Sequence, residues 1–278
     1  QRCEVALLRP QDLGDLSATL STKRDYDALL NAWRGWRTIS PPMRPMYEEF
    51  VQLANEGANE IGYDNLGELW RAGYDMDPAE FEAVAADLWN DVKPLYESLH
   101  CYVRGRLAKK YGKDKVDPEG LIPARLLGNM WAQEWGNIYP LVAPYPGVGN
   151  LDVTAALEKK KYDAMKMVKL GESFFTSLGL EPLPETFYER SMFTKPADRD
   201  VVCHASAWDV TSAGDIRIKM CIRPTEEDLI TIHHELGHNY YYQYYYMKPV
   251  LFQSGAHDGF HEGIGDTLAL SVTPGYLK

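Results

Sequence analysis

Apolar residues along this chain recur mostly at intervals of three and four, the spacing of one face of an α-helix. Tyr26, Leu29, Leu30, Trp33 and Trp36 form the first clear stripe. Arg37 closes it, as a cation on a solvated face near a helix C-terminus. Pro41, Pro42 and Pro45 punctuate the chain, and a second helix is predicted over residues 46–56. Asp77-Pro78 opens the next, with Asp77 as N-cap and Pro78 at the first helical position. That helix runs to about residue 99 and continues through 100–111, whose basic run reads as a solvated face.

Residues 118–146 carry little charge. Asn129, Gln133 and Asn137, spaced by four, predict a polar stripe on one helix. Buried amides need partners, so the stripe is either satisfied internally or lines a cleft. A Gly-rich turn follows at 147–151. Asp152 or Thr154 then caps a short helix, and a longer amphipathic one covers 162–178, ending at Gly179.

A single region changes period. VVCHASAWDV (201–210) and DIRIKMCI (215–222) alternate around a Ser-Ala-Gly-Asp turn and predict a two-stranded ribbon. His204 and Ala205 fall on its first strand. The edge of such a ribbon can hold an extended peptide by main-chain hydrogen bonds. His204 is then either a donor to a substrate carbonyl or a structural residue. The fold class is therefore mainly α with one short β-ribbon.

Composition narrows the picture modestly. The 278 residues are 45% hydrophobic and 25% charged, enough for one large or two modest domains with a sizeable core. A net charge of −11 argues against nucleic acid or an anionic membrane as the main partner. No apolar run approaches the roughly 18 residues of a membrane span. The chain begins at Gln1, and its first residues form no apolar signal core. No Asn-x-Ser/Thr sequon occurs. Of the four cysteines, none forms a C-x-x-C pair. Cys203 and Cys221 flank the ribbon as either a disulfide of an oxidising compartment or two buried thiols; both readings stand.

The chemistry concentrates at 231–266. His234, Glu235 and His238 make the pattern H-E-x-x-H. Two histidines four apart stand on one helix face, where one zinc ion can take both. Glu235 is placed to act as a general base without ligating the metal. A catalytic zinc needs a third protein ligand, and Glu262, 24 residues after His238, is the candidate. Asp266 lies four further on, on the same face if that run is helical. It is placed to accept the second N–H of a zinc-binding histidine. The dense tyrosines of 240–246 read as wall and core packing, with hydroxyls reaching water or backbone. No G-x-S-x-G, Walker or Rossmann pattern competes with this centre.

With these residues assembled, the chain resembles the angiotensin-converting enzyme family of peptidyl-dipeptidases. The similar runs are WRGWR (33–37), LIPARLLGNMWAQEWGNIYPLV (121–142), ESFFTSLGL (172–180), VVCHASAWDV (201–210), HHELGH (233–238) and GFHEGIGDTLALSVTP (259–274). The resemblance implies an almost wholly helical fold split by a deep cleft, with zinc at its floor. It also implies removal of C-terminal dipeptides from oligopeptides in a secreted or extracellular setting. By resemblance, His234, His238 and Glu262 bind zinc and Glu235 is base and proton shuttle. His204 and Ala205 bind substrate main chain, and Gln133 helps hold the terminal carboxylate. Cys203–Cys221 is then a disulfide, and Arg37 and Tyr74 lie in runs like those around the family's chloride sites.

Some positions depart from the family pattern. Leu236 stands where Met is usual. Ser254, His257 and Asp258 replace an acidic residue and Asn-Pro. Cys3 has no obvious mate and Cys101 looks unpaired. The resemblance covers roughly the middle half of the family's catalytic domain. The 278 residues therefore read as a single partial domain, without N-terminal lid helices and without the later Lys, His, Tyr and Arg of the family's site. An alternative of another class follows: a catalytically inactive zinc-binding module that holds peptides or a partner.

Overall fold

The computed structural model describes residues 11–145 and 152–271. Cys3 and the Gly-rich turn at 147–151 lie outside the described residues. The contacts divide the chain into two compact units, residues 1–148 and 149–278, each with its own core.

The first unit is helical: α1 (Leu13–Thr22), α2 (Tyr26–Arg37), α3 (Arg44–Glu60), α4 (Leu66–Arg71), α5 (Pro78–Tyr111) and the one-turn α6 (Tyr139–Val142). Local chemistry sets the starts. Asp12, Asp25, Asn65 and Asp77 each accept a first-turn N–H and so satisfy a donor that the helix cannot. The helix predicted over 46–56 is longer, because Pro45 sits in its first turn, where its missing N–H costs nothing. Leu20, Val103, Leu107, Val116 and Met130 form the centre of this core. Burying each such side chain stabilises the unit by about 1.5–3 kcal/mol. The middle of α5 stays exposed: Leu88, Val92, Leu95 and Leu99 recur at helical spacing there, before Val103 and Leu107 turn into the core.

Two expectations fail in this unit. Asn129, Gln133 and Asn137 share no helix. Residues 127–135 form bends, turns and irregular backbone between two 3₁₀ turns, Ala124–Leu126 and Gly136–Ile138. Gly128 (φ +91°) and Ala132 (φ 59°) take left-handed backbone, which ends any right-handed helix. Arg37 is not on a solvated face. Its guanidinium lies 3.8 Å over the Trp33 ring and donates to Met130 O at 2.8 Å, and burial lowers its pKa.

The second unit holds α7 (Val153–Lys159), α8 (Ala164–Ser177), α9 (Glu185–Arg190), strands β1 (Ser206–Asp209) and β2 (Ile216–Lys219), α10 (Glu226–Tyr245) and α11 (Asp258–Leu270). The strands pair antiparallel, with Ala207 opposite Ile218. Ile216 and Ile218 turn into the core formed with Phe175, Phe187, Ile232 and Leu236. On its other side β2 meets Met192, whose N–H donates to Ile218 O at 2.9 Å. Among the described residues no strand pairs with the outer edge of β1. His204 and Ala205 precede β1 instead of lying on it. The disulfide Cys203–Cys221 ties the chain just before them to the chain after β2.

Helix α10 runs through this core and packs against α8, the ribbon and α11. Glycines permit two of these contacts. A Cβ on Gly171 would stand 2.8 Å from Leu236 Cδ1, so α8 seats closely on α10. A Cβ on Gly237 would stand 2.9 Å from the Cα of Gly265. A Cβ on Gly265 would stand 2.9 Å from His234 Nδ1 and 3.1 Å from His234 O. The α10–α11 crossing is thus glycine on glycine, with an imidazole laid along the backbone of α11.

Two predictions follow from this packing. Gly265→Ala gains up to about 1 kcal/mol of helix propensity. It meets a backbone carbonyl, however, and overpacking of this kind costs about 1–3 kcal/mol. The urea midpoint falls, whereas Gly263→Ala, with open space around it, raises the midpoint. A Gly265→Ala protein as stable as the parent would refute the close crossing.

The second prediction concerns acid. Arg217 holds Asp215 through paired bonds of 3.0 and 2.6 Å, and Arg190 adds a third contact at 3.0 Å. Hydrogen bonding to Arg217 is the main cause that lowers the carboxyl to about 2 from an ordinary 3.8. A depressed carboxyl stabilises the folded state above its unfolded pKa. That contribution is lost as pH falls from 3.8 towards 2. The acid limb of urea midpoint against pH is shallower in Asp215→Asn over that window; identical limbs would count against the cluster.

Candidate active site

The site is assembled from two helices. Thr225 caps α10, its hydroxyl accepting the Asp228 N–H. Two turns on, His234 and His238 emerge one above the other on the face towards α11. Asp258 opens α11, and Glu262 and Asp266 follow one turn apart. The glycine crossing brings the two faces together.

His234 Nε2 and His238 Nε2 are 3.0 Å apart. Glu262 reaches His234 Nε2 at 3.2 Å and His238 Nε2 at 3.7 Å. All three ligand atoms lie within 4.8 Å of one another. Tetrahedral zinc with bonds of 2.0–2.1 Å would separate its donor atoms by roughly 3.4 Å. The two carboxylate oxygens of Glu262, Oε2 towards His234 and Oε1 towards His238, stand at distances close to that value, and two imidazoles with one carboxylate suit zinc. Among the described residues this is the one such cluster. His234 Nδ1 donates to Asp266 Oδ1 at 2.9 Å, which leaves Nε2 as the free lone pair. The two helices thus bring together every metal residue expected from the sequence.

Glu235 shares α10 with His234 and His238 yet is buried. Burial is the main cause that raises its pKa; the His234 charge opposes this and the Glu262 charge adds to it. The charge of His204 also acts on Glu235, so the bend before β1 belongs to the same neighbourhood. His204 Nδ1 donates to Ala205 O at 2.9 Å. A neutral His204 therefore offers Nε2 as an acceptor, and only the imidazolium can donate to a substrate carbonyl. Asn239 fastens the ribbon to α10 by donating to Arg217 O at 3.3 Å.

The tyrosine run divides as its helical phase dictates. Tyr240 is buried and stacks on Phe175 at 4.3 Å. The hydroxyls of Tyr241 and Tyr244 accept the N–H groups of Ala256 and Glu181. Tyr245 reaches His261, and burial pushes its phenol up to about 12. His261 had not been singled out from the sequence. Its ring lies against Tyr241, Tyr242 and Tyr245, and its Nδ1 is 3.2 Å from His238 Nδ1. The available signal was its place directly before Glu262, together with tyrosines three, four and seven residues after His238.

The remaining expected residues belong to the first unit. Gln133 is exposed in an irregular stretch between two 3₁₀ turns. Arg37 is engaged by Met130 and Trp33, and the Tyr74 ring packs on Phe81 at 4.4 Å. Cys101 is exposed and free. Among the described residues no helix is long and apolar enough to cross a membrane.

A family model described as angiotensin-converting enzyme matches residues 6–278. The angiotensin-converting enzyme of Theromyzon tessulatum is 48% identical over 266 residues, 95% of this chain and 43% of that protein. Those of Rattus norvegicus and Bos taurus are each 47% identical over the same length, again 95% of this chain but 20% of theirs. The chain thus spans less than half the length of the curated relatives it matches. With nearly all of its residues aligned at almost one identity in two, the chain belongs to the angiotensin-converting enzyme family.

Proposed function

We propose that this chain carries the hydrolytic centre of a zinc-dependent peptidyl-dipeptidase. The observation that carries the reading is the convergence of His234, His238 and Glu262 beside a buried Glu235. Zinc, when held by those three side chains, supplies a Lewis acid that makes water acidic and takes up charge from a carbonyl oxygen. The chain's own residues do the rest. Asp266 fixes the proton of His234 on Nδ1 and keeps Nε2 for the metal. Glu235 takes a proton from the attacking water as its oxygen bonds to the scissile carbonyl carbon. When the C–N bond breaks, Glu235 returns that proton to the leaving amine.

Substrate is an oligopeptide in extended form. The unpaired edge of β1 supplies main-chain donors and acceptors, and His204 and Ala205 continue that edge towards Glu235. Gln133 contributes to the terminal carboxylate, and Arg37 and Tyr74 to a chloride requirement, on family likeness alone. The disulfide and the relatives favour a secreted or extracellular setting. Residues 1–278 make up part of one metallopeptidase domain, consistent with the share of the relatives' length that they span.

The exposed apolar face of α5 favours a second reading, in which the chain binds zinc and peptides without turning them over. Release of a dipeptide from an N-blocked tripeptide separates the two. The zinc-loaded chain releases it, a chelator stops it, and added zinc restores it. Glu235→Gln keeps zinc and loses about a hundredfold or more in rate, the scale of a missing general base. Full activity in that variant would sink the assignment. Tight peptide binding with no release by the parent chain would favour the binding module.

A further inference from the structure

An imidazole that gives one nitrogen to a metal carries its proton on the other, and that N–H needs an acceptor. The two histidines of this site meet the need differently. His234 donates to a carboxylate, Asp266, at 2.9 Å. His238 turns Nδ1 to a second imidazole, His261 Nδ1, at 3.2 Å. The other nitrogen of His261 stands 2.9 Å from the hydroxyl of Tyr245.

We propose that His261 and Tyr245 form a neutral relay that positions His238 for the metal. This rests on reading His234, His238 and Glu262 as the metal ligands. Proton directions then follow without freedom. His238 Nε2 must keep its lone pair, so its proton is on Nδ1 and points at His261. His261 Nδ1 must accept, so its own proton is on Nε2. That proton points at Tyr245, whose oxygen accepts. One tautomer at each ring satisfies the whole chain of contacts.

The surroundings hold that orientation. The His261 ring centroid lies 4.7 Å from Tyr241 and 4.8 Å from Tyr242, with Tyr245 edge-on at 5.7 Å. These tyrosines follow His238 by three, four and seven residues, so one stripe of α10 carries both the ligand and the walls around its partner. Tyr241 is itself tied down by the N–H of Ala256. The tyrosine-rich run thus acquires a specific task, which is to keep one imidazole of α11 at a fixed angle to one imidazole of α10.

The test is zinc affinity, measured by competition with a chromophoric chelator, together with ¹⁵N resonances of the ring nitrogens in the zinc-loaded chain. His261→Phe keeps a ring but removes the acceptor, and raises the zinc Kd about 10–100-fold, the usual effect of losing such a partner. His261→Asn places an amide oxygen near the former Nδ1 and restores most of the affinity. Tyr245→Phe falls between them. In the unsubstituted chain the resonances show His261 Nδ1 unprotonated and Nε2 protonated. Parent-like zinc affinity in His261→Phe, or a protonated His261 Nδ1, would overturn the relay. The resonances decide the question even where a variant does not fold. His238→Ala is the control. If it weakens zinc and His261→Phe does not, the relay alone fails. If the parent chain binds no zinc, the metal-site reading fails and the relay falls with it.

Discussion

The approach of Gly237 to Gly265 is the constraint on which the centre depends. H-E-x-x-H supplies two imidazoles to almost any helix that contains it, but a third ligand must come from elsewhere in space. The candidate third ligand here, Glu262, comes from α11, and only if the two backbones nearly touch. Side chains at the crossing would hold the axes apart at the usual 8–10 Å of helix packing. With no side chain at either position, Glu262 and Asp266 come down onto His234 and His238. The same closeness lays His234 along the backbone of α11, which limits its ring rotation before any metal arrives. Ligand geometry in this site is therefore a property of backbone packing.

The two glutamates show how environment divides labour between like groups. Glu235 is buried and its carboxyl is raised, chiefly because charge is costly away from water. Glu262 sits on the open side, with 68% of its side chain exposed. On the proposed reading, the buried setting suits a base that must hold and then release a proton, and the exposed one suits a carboxylate that reaches a metal. Both settings follow from helix phase. Position 235 turns towards the ribbon and core, and position 262 towards solvent.

How much was legible in the sequence follows from which contacts are local. Helical spacing alone places His238 over His234, and Asp266 over Glu262, and the caps at Asp77 and Asp152 are one-residue chemistry. The ribbon was legible from its alternation, but its start was not. His204 and Ala205 look like strand residues, and the disulfide at Cys203 and the bend after it take them out of the pairing. The stretch 127–135 misled because Ala132 adopts a left-handed backbone, which nothing about alanine announces. His261 escaped notice because its role depends on the angle between α10 and α11. No pattern within either helix encodes that angle, apart from two glycines that look ordinary in isolation.

The outer edge of β1 has a consequence for arithmetic. Along an extended chain, outward-facing main-chain groups repeat every second residue, about 6.6–6.8 Å apart. A peptide docked on that edge can advance by two residues and find every hydrogen bond it had before. An advance of one residue would turn its side chains to the opposite faces. An edge of this kind therefore counts in pairs. On the proposed reading, the four-residue strand would hold about two such repeats of a bound peptide, with alternate side chains turned towards and away from the protein.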